Sequence, residues 1–470
     1  MADPGGVLGE IVARKRADVV ARFGSVTLDE LRGRTEPTRR SFKAALARPG
    51  ARFVMEVKRA SPSAGSLRAE ADPAALARAY RGAADALSVL TDAPYFGGSH
   101  ADLAAVRREY DGPILCKDFV VDPRQVAEAR FHGADAVLVM LSVLDDVSAG
   151  EMIREARRLG MDALVEVHDY DEVRRALLLG AEIVGINNRN LRTLKVDLAT
   201  TERLAGMVPR DRIVIAESGI SGRADVERLS THADAFLVGS SLMRADNPAE
   251  AARTLAFGRV KVCGITDAHD LEMVSAFGAT CAGVVMVPNT PRAVSLREAE
   301  PIAEAAATAA MPLVGVFRNE KVMQVALTAQ ALGLHAVQLH GEEDASYIKA
   351  LRNLLPVKCE IWAAAAVGGQ VAEPRLGANR TLFDTCVKGR TGGTGMVFDW
   401  SRIQGRRDLG RSLLAGGLKP ANARAASRVG AFALDVSSGV EMAPGRKDAG
   451  KLRAFFEALR PDARRDLRKC

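Results

Sequence analysis

In the first half of this chain, polar side chains repeatedly stand at the ends of short apolar runs, a placement that suits proton transfer. Glu56 and Lys58 end ARFVMEV, Lys117 ends PILCKDF, Glu166 ends MDALVEV, Asn187 ends EIVGIN, and Glu217-Ser218 end RIVIAES. Two lysines and several glutamates drawn into one cleft push each other's pKa values apart, giving a proton donor and an acceptor near neutral pH. Any one of them could simply cap a strand or sit in a surface ion pair. Four ionisable run-ends together favour a shared site. Small residues follow the last two runs, at Ser218-Gly219 and Gly239-Ser240. They leave backbone N–H groups open beside a helix N-terminus, which suits a phosphate.

The second half repeats the phosphate pattern with different chemistry. Gly416-Gly417 and Ser437-Ser438 end its last two runs, and a further glycine loop holds Gly393. Cys263 and Asp384 end two other runs. A lone cysteine at a strand end is usually a small buried hydrophobe. It becomes a base only where positive charge or helix termini favour its thiolate. Arg292 is placed to fix an anionic substrate group.

These residues need elements that converge on one mouth. From residue 51 there are eight β-rich runs, the last ending at Gly239-Ser240, with amphipathic segments between them. The count restarts at Val260 and again reaches eight, ending at AFALDVSSG. Alternation of this kind predicts parallel βα units, and eight of them close a barrel. The expected fold is therefore α/β: two tandem (β/α)8 TIM barrels, residues 1–257 and 258–470. Residues 1–50 carry helical patterns near 7–22 and 41–48, an extension expected to cap a barrel mouth. A doubly wound sheet also alternates β and α, but it does not account for eight plus eight. No GxGxxG follows an opening strand either. In a barrel of this type the chemistry sits at the C-terminal strand ends.

Bulk composition agrees. A chain of 470 residues, 48% hydrophobic and 26% charged, has the makings of a soluble globular protein of two or three domains. The net charge is +7, but arginine is scattered and aromatics are only 5%, so a nucleic-acid partner is not expected. No stretch approaches ~20 apolar residues, and the N-terminus is not a signal peptide, so no membrane partner is expected. None of the six cysteines forms a CxxC pair, which points to free thiols in a reducing cytoplasm. HExxH is absent and no histidines pair at ligand spacing, so no metal is expected.

The first half resembles indole-3-glycerol phosphate synthase in VMEVKRASPS (54–63), SVLTDAPYFGGS (88–99), ILCKDFVVDP (114–123), LVEVH (164–168), VGINNRNL (184–191), AESGI (216–220) and VGSSLM (238–243). The second half resembles phosphoribosylanthranilate isomerase in KVCGIT (261–266), VGVFRN (314–319), AVQLHG (336–341), GGTGMVFDW (392–400), LLAGGLKPAN (413–422) and LDVSSGVE (434–441). Departures at Ala64, Ala216 and Ala363 fall on no residue assigned to chemistry.

The resemblance implies an Amadori rearrangement of N-(5-phosphoribosyl)anthranilate in the second half. Asp384 is the expected general acid and Cys263 the base, with Arg292, Gln338 and His340 binding substrate. Gly393, Gly416, Gly417, Ser437 and Ser438 are expected at the phosphate. In the first half it implies ring closure of that product to indole-3-glycerol phosphate, with loss of CO2 and water. Lys117 is the expected acid and Glu166 the base, assisted by Lys58, Glu56, Asn187 and Ser218. Ser61, Phe119, Arg189 and Glu217 are expected to bind substrate, and Gly219, Gly239 and Ser240 the phosphate. No cofactor is implied, the expected partners are small phosphorylated anthranilate substrates, and a monomer is expected. Two alternatives stay open: an isomerase for another aminosugar phosphate, and a pair in which one barrel is only a scaffold.

Overall fold

The computed structural model describes residues 6–61, 65–66, 68, 70–191, 193–387, 390–391 and 396–469. The chain divides into two compact units, Met1–Ala256 with Pro461–Cys470, and Phe257–Arg460. The last ten residues, expected in the second half, group with the first unit.

In the first unit, β1 (Arg52–Val57), β2 (Ala86–Leu90), β3 (Ile114–Lys117), β4 (Ala136–Met140), β5 (Asp162–Val167), β6 (Ile183–Asn187), β7 (Ile213–Glu217) and β8 (Ala235–Val238) form a closed parallel barrel. Closure comes from β1, which pairs with both β2 and β8. The runs are almost wholly buried because helices cover the outside and side chains fill the inside, so they show little polar alternation. Aspartates start many of the covering helices. Asp72, Asp122, Asp145 and Asp169 each accept backbone N–H groups at a helix N-terminus.

A second set of aspartates ties the strand starts together. Asp85, Asp135 and Asp234 each directly precede a strand in an Ala-Asp-Ala triplet. Each accepts a backbone N–H from a neighbouring strand: Phe53 at 2.9 Å, Ile114 at 3.0 Å and Val214 at 3.0 Å. This is the face that serves stability in a barrel. The C-terminal segment docks there. The Arg465 N–H donates to Asp234 Oδ1 at 3.0 Å, Gly50 N donates to Asp466 Oδ2 at 2.8 Å, and Arg464 bonds the Val208 carbonyl.

The N-terminal extension forms α1 (Gly6–Phe23), α2 (Leu28–Arg32) and α3 (Phe42–Leu46). Helices stand in both stretches where helical patterns were expected, although α3 is only five residues long. The five-residue α2 is too short to show a period and is carried by a Thr27/Glu30 capping box. α1 covers the opposite, C-terminal mouth: Val7, Leu8 and Ile11 line the cavity there. It is pinned by Lys15, whose buried ammonium lies 2.7 Å from both Asp92 and Asp118.

The second unit is also a closed parallel barrel, of β9 (Val260–Cys263), β10 (Cys281–Val285), β11 (Leu313–Phe317), β12 (Ala336–Leu339), β13 (Glu360–Val367), β14 (Arg380–Val387), β15 (Leu413–Leu414) and β16 (Ala433–Val436). One expectation shifts. β14 runs on to Val387, so Asp384 lies inside a strand, paired with Ala366 of β13, and not at its end. Ala363–Ala366 of β13 pair with Thr381–Asp384, and the pairing runs on to Val367 and Thr385.

Candidate active sites

Strand alternation decides what enters the first mouth. Residues two apart on a strand share a face, so Glu56 with Lys58 and Glu166 with His168 point the same way. With Lys117, Asn187, Arg189, Glu217, Ser218, Gly219, Gly239, Ser240 and Phe119 they meet around a cavity of about 640 Å³, of the size that holds a small ligand. His168 joins through Glu166 and does not line the cavity itself.

The charges form one network. Lys117 Nζ donates to Glu217 Oε2 at 2.8 Å and lies 3.5 Å from Glu166 Oε2. Asn187 Nδ2 donates to Glu166 Oε1 at 3.2 Å, and Lys58 Nζ lies 2.5 Å from Glu56 Oε1. Burial alone would lower the Lys117 ammonium, but Glu217 and Glu166 together raise it. The two glutamates divide. Burial pushes Glu217 up against the pull of Lys117. At Glu166 burial is outweighed by Lys117 and His168, which hold it down. A carboxyl pushed up beside one held down is the separation acid–base chemistry needs.

Glycine makes the room. A Cβ on Gly185 would lie 2.1 Å from Glu217 Oε1, and one on Gly239 would lie 2.2 Å from Glu56 Oε1. Ser218 holds φ 65°, the left-handed region that a non-glycine residue enters only under constraint. Ser61 stands in a short hairpin strand, but its side chain lies outside the described residues.

His168 is the residue the sequence reading passed over, although LVEVH holds it two positions beyond Glu166. Its ring sits between two carboxylates, Nδ1 3.1 Å from Glu172 Oε2 and Nε2 3.4 Å from Glu166 Oε1. Burial would lower it, yet the carboxylates raise it to about 10. A raised folded-state pKa gives stability that is complete below the ordinary value of about 6.5 and is lost as pH climbs. His168→Gln should therefore cost the first barrel ~2 kcal/mol near pH 6 and much less near pH 10. Urea unfolding at the two pH values, followed by loss of the first barrel's activity, measures this. An equal loss at both would exclude a charge effect.

The second mouth is smaller, about 370 Å³, and brings together Cys263, Arg292, Gln338, His340, Asp384, Gly416, Gly417, Ser437 and Ser438. Gly393 lies outside the described residues. Asp384 Oδ1 accepts the Thr385 N–H at 2.7 Å, and its Oδ2 lies 3.4 Å from His340 Nε2. Gln338 Nε2 is 3.3 Å from His340 Nδ1, while Gln338 Oε1 is buried without a hydrogen-bond partner among the described residues. Gly416 and Gly417 both have positive φ, and a Cβ on Gly416 would lie 3.0 Å from Asp384 Oδ1.

Arg292 is not a free cation. It grips Glu441 through Nε at 2.9 Å and Nη2 at 2.6 Å. Lys447 holds the other side of that glutamate at 2.8 Å and donates to the Cys263 carbonyl at 2.6 Å. Neither Glu441 nor Lys447 was foreseen. VSSGVE showed the glutamate, but only the short hairpin of residues 441–447 folds both toward the site.

Two barrels that gather proton donors and acceptors over separate cavities define a bifunctional acid–base enzyme. The chain matches the family model "Indole-3-glycerol phosphate synthase" over residues 8–255 and "N-(5'phosphoribosyl)anthranilate (PRA) isomerase" over residues 260–458. A tryptophan biosynthesis protein TrpCF of Vibrio parahaemolyticus is 45% identical over 97% of this chain and 94% of its own. That of Salmonella typhi is 43% identical over 97% of this chain and 99% of its own. Among solved structures, a phosphoribosyl anthranilate isomerase from Thermus thermophilus covers 43% of this chain and 98% of its own, at 34% identity and TM-score 0.38. The chain belongs to the bifunctional indole-3-glycerol phosphate synthase/phosphoribosylanthranilate isomerase family of tryptophan biosynthesis, synthase barrel first and isomerase barrel second.

Proposed function

We propose the following division of labour among residues. In the isomerase barrel, Asp384 protonates the ribose ring oxygen of N-(5-phosphoribosyl)anthranilate and opens the ring to an iminium. Cys263, as thiolate, removes the proton at C2, and the enol relaxes to the ketone. Gln338 and His340 bind the substrate, and the turns at Gly416-Gly417 and Ser437-Ser438 take the phosphate. Arg292, anchored on Glu441, presents its remaining N–H groups to the anthranilate carboxylate.

In the synthase barrel the anthranilate ring carbon attacks that ketone. Lys117 gives its proton to the carbonyl oxygen, which takes it because a developing alkoxide is more basic than an amine. CO2 leaves, and Glu166 faces the iminium charge that forms. Lys58, steadied by Glu56, serves dehydration. Arg189 meets the substrate carboxylate, with Asn187 and Ser218 positioning, Phe119 and Ser61 assigned to substrate binding, and Gly219, Gly239 and Ser240 at the phosphate.

The observation that carries this reading is the meeting of Lys117, Glu166 and Glu217 in one buried network of the first unit, while in the second unit Cys263 and Asp384 face a cavity of their own. With both sites on one chain, a monomer suffices. The four described buried cysteines are free thiols, which fits a cytoplasmic setting.

The test supplies the full chain with either substrate alone. N-(5-phosphoribosyl)anthranilate should yield indole-3-glycerol phosphate and one CO2 per indole. The ketone intermediate should do the same without the first step. Failure of the ketone to give indole would leave the first barrel a scaffold.

A further inference from the structure

The isomerase reading asks a buried thiol to act as a base, and burial works against it. Cys263 is 9% exposed, and burial pushes its thiol up. A thiolate there needs a cation held close. Two are in reach. Lys447 already spends its ammonium on the Cys263 carbonyl and on Glu441. Arg292 is taken by the same glutamate.

Lys261 is differently placed. It stands two residues before Cys263 on β9, so both side chains enter the barrel on the same face. Its side chain is fully buried, and its ammonium donates to Asp435 Oδ2 of β16 at 2.9 Å. The ammonium's charge also acts on the Cys263 sulfur, pulling its thiol down against the push of burial. Opposite Cys263 on β10 is Gly283. A Cβ there would lie 2.9 Å from the sulfur, 2.9 Å from Lys261 Cε and 3.2 Å from Lys261 Nζ. The missing methyl is the space in which sulfur and ammonium meet.

As a mere plug this arrangement is expensive. A buried ion pair gains little over apolar side chains of the same volume. Asp435 Oδ1 is moreover buried without a hydrogen-bond partner among the described residues. The remaining ionisable neighbours do not replace Lys261. Asp384 and His340 face Asp435, and Cys281 of β10 faces Lys261.

We propose that Lys261 is a positioning residue of the isomerase, fixed by Asp435 and admitted by Gly283, whose ammonium holds Cys263 as the thiolate. The proposal rests on Cys263 being the base. In the step it serves, the sulfur takes the C2 proton and the C–H electron pair enters the enol. Lys261 keeps its proton throughout.

The test uses the full chain. Alkylation by iodoacetamide is followed against pH and corrected with Cys263→Ala, alongside the pH profile of isomerase kcat/KM. Lys261→Met should move both acid limbs up by about one pH unit or more. It should lower kcat at neutral pH about tenfold or more, with KM changed less. Lys261→Arg should recover part of the shift, and Gly283→Ala should reproduce part of it. If Lys261→Met does not fold, Lys261→Met with Asp435→Asn, which leaves no unpaired buried charge, is read in its place. Profiles that superimpose on the wild type in the folded variant overturn the proposal. Full isomerase activity in Cys263→Ala would instead overturn the base assignment beneath it.

Discussion

Lys117→Ala should reduce indole formation by about a thousandfold or more and leave isomerisation of N-(5-phosphoribosyl)anthranilate unchanged. Lys117 touches both Glu217 and Glu166. Its loss removes the proton given to the carbonyl oxygen. It also leaves two buried carboxyl groups without their counter-charge, so at least one takes up a proton and the ionised Glu166 is put at risk. Lys117→Arg separates the two effects, because it restores charge but gives up its proton poorly. Steady-state assays of each reaction with its own substrate measure the outcome. Loss of both activities in a folded Lys117→Ala protein would mean that the sites are not independent.

Cys263→Ala and Asp384→Asn should give the mirror image, with isomerisation down about 10²–10⁴-fold and ring closure of supplied ketone intact. Asp384→Asn is the cleaner of the two. Asparagine has nearly the same volume, and its carbonyl oxygen can still accept the Thr385 N–H now taken by Asp384 Oδ1. What it loses is the acid. Cys263→Ala removes the base and leaves a small void beside Gly283. Cys263→Ser fills that void with a hydroxyl that does not ionise near neutrality. Activity in the serine protein comparable to wild type would show that the sulfur only packs.

Much of this was legible because a barrel places chemistry by a simple rule. Polar residues that interrupt apolar runs at Glu56, Lys117, Glu166 and Glu217 had to face one mouth once eight strands closed. What the runs hid were residues whose meaning depends on a partner far along the chain. Lys261 reads as an ordinary surface lysine until Asp435, from the last strand, lies beside it. His168 reads as a strand-end polar residue until Glu172, one helical turn on, brackets its ring. Asp384 looked like the end of a strand because the alternation stops there. The strand continues to Val387, paired with β13 as far as Thr385. The Ala-Asp-Ala triplets were in plain sight, but their function is in hydrogen bonds to a neighbouring strand, which no local pattern shows.

The docking of the C-terminal segment beneath the first barrel bears on how the protein is made. The acceptors on Asp234 and Val208 leave the ribosome long before Arg464 and Arg465 exist to meet them. About two hundred residues of isomerase intervene. At ordinary synthesis speeds that is a wait of roughly 10–40 s. The synthase barrel is thus begun first and finished last, with the isomerase lying within it as an insertion in the order of the chain. A gene divided at the junction between the two barrels would hand the synthase's last segment to the wrong fragment.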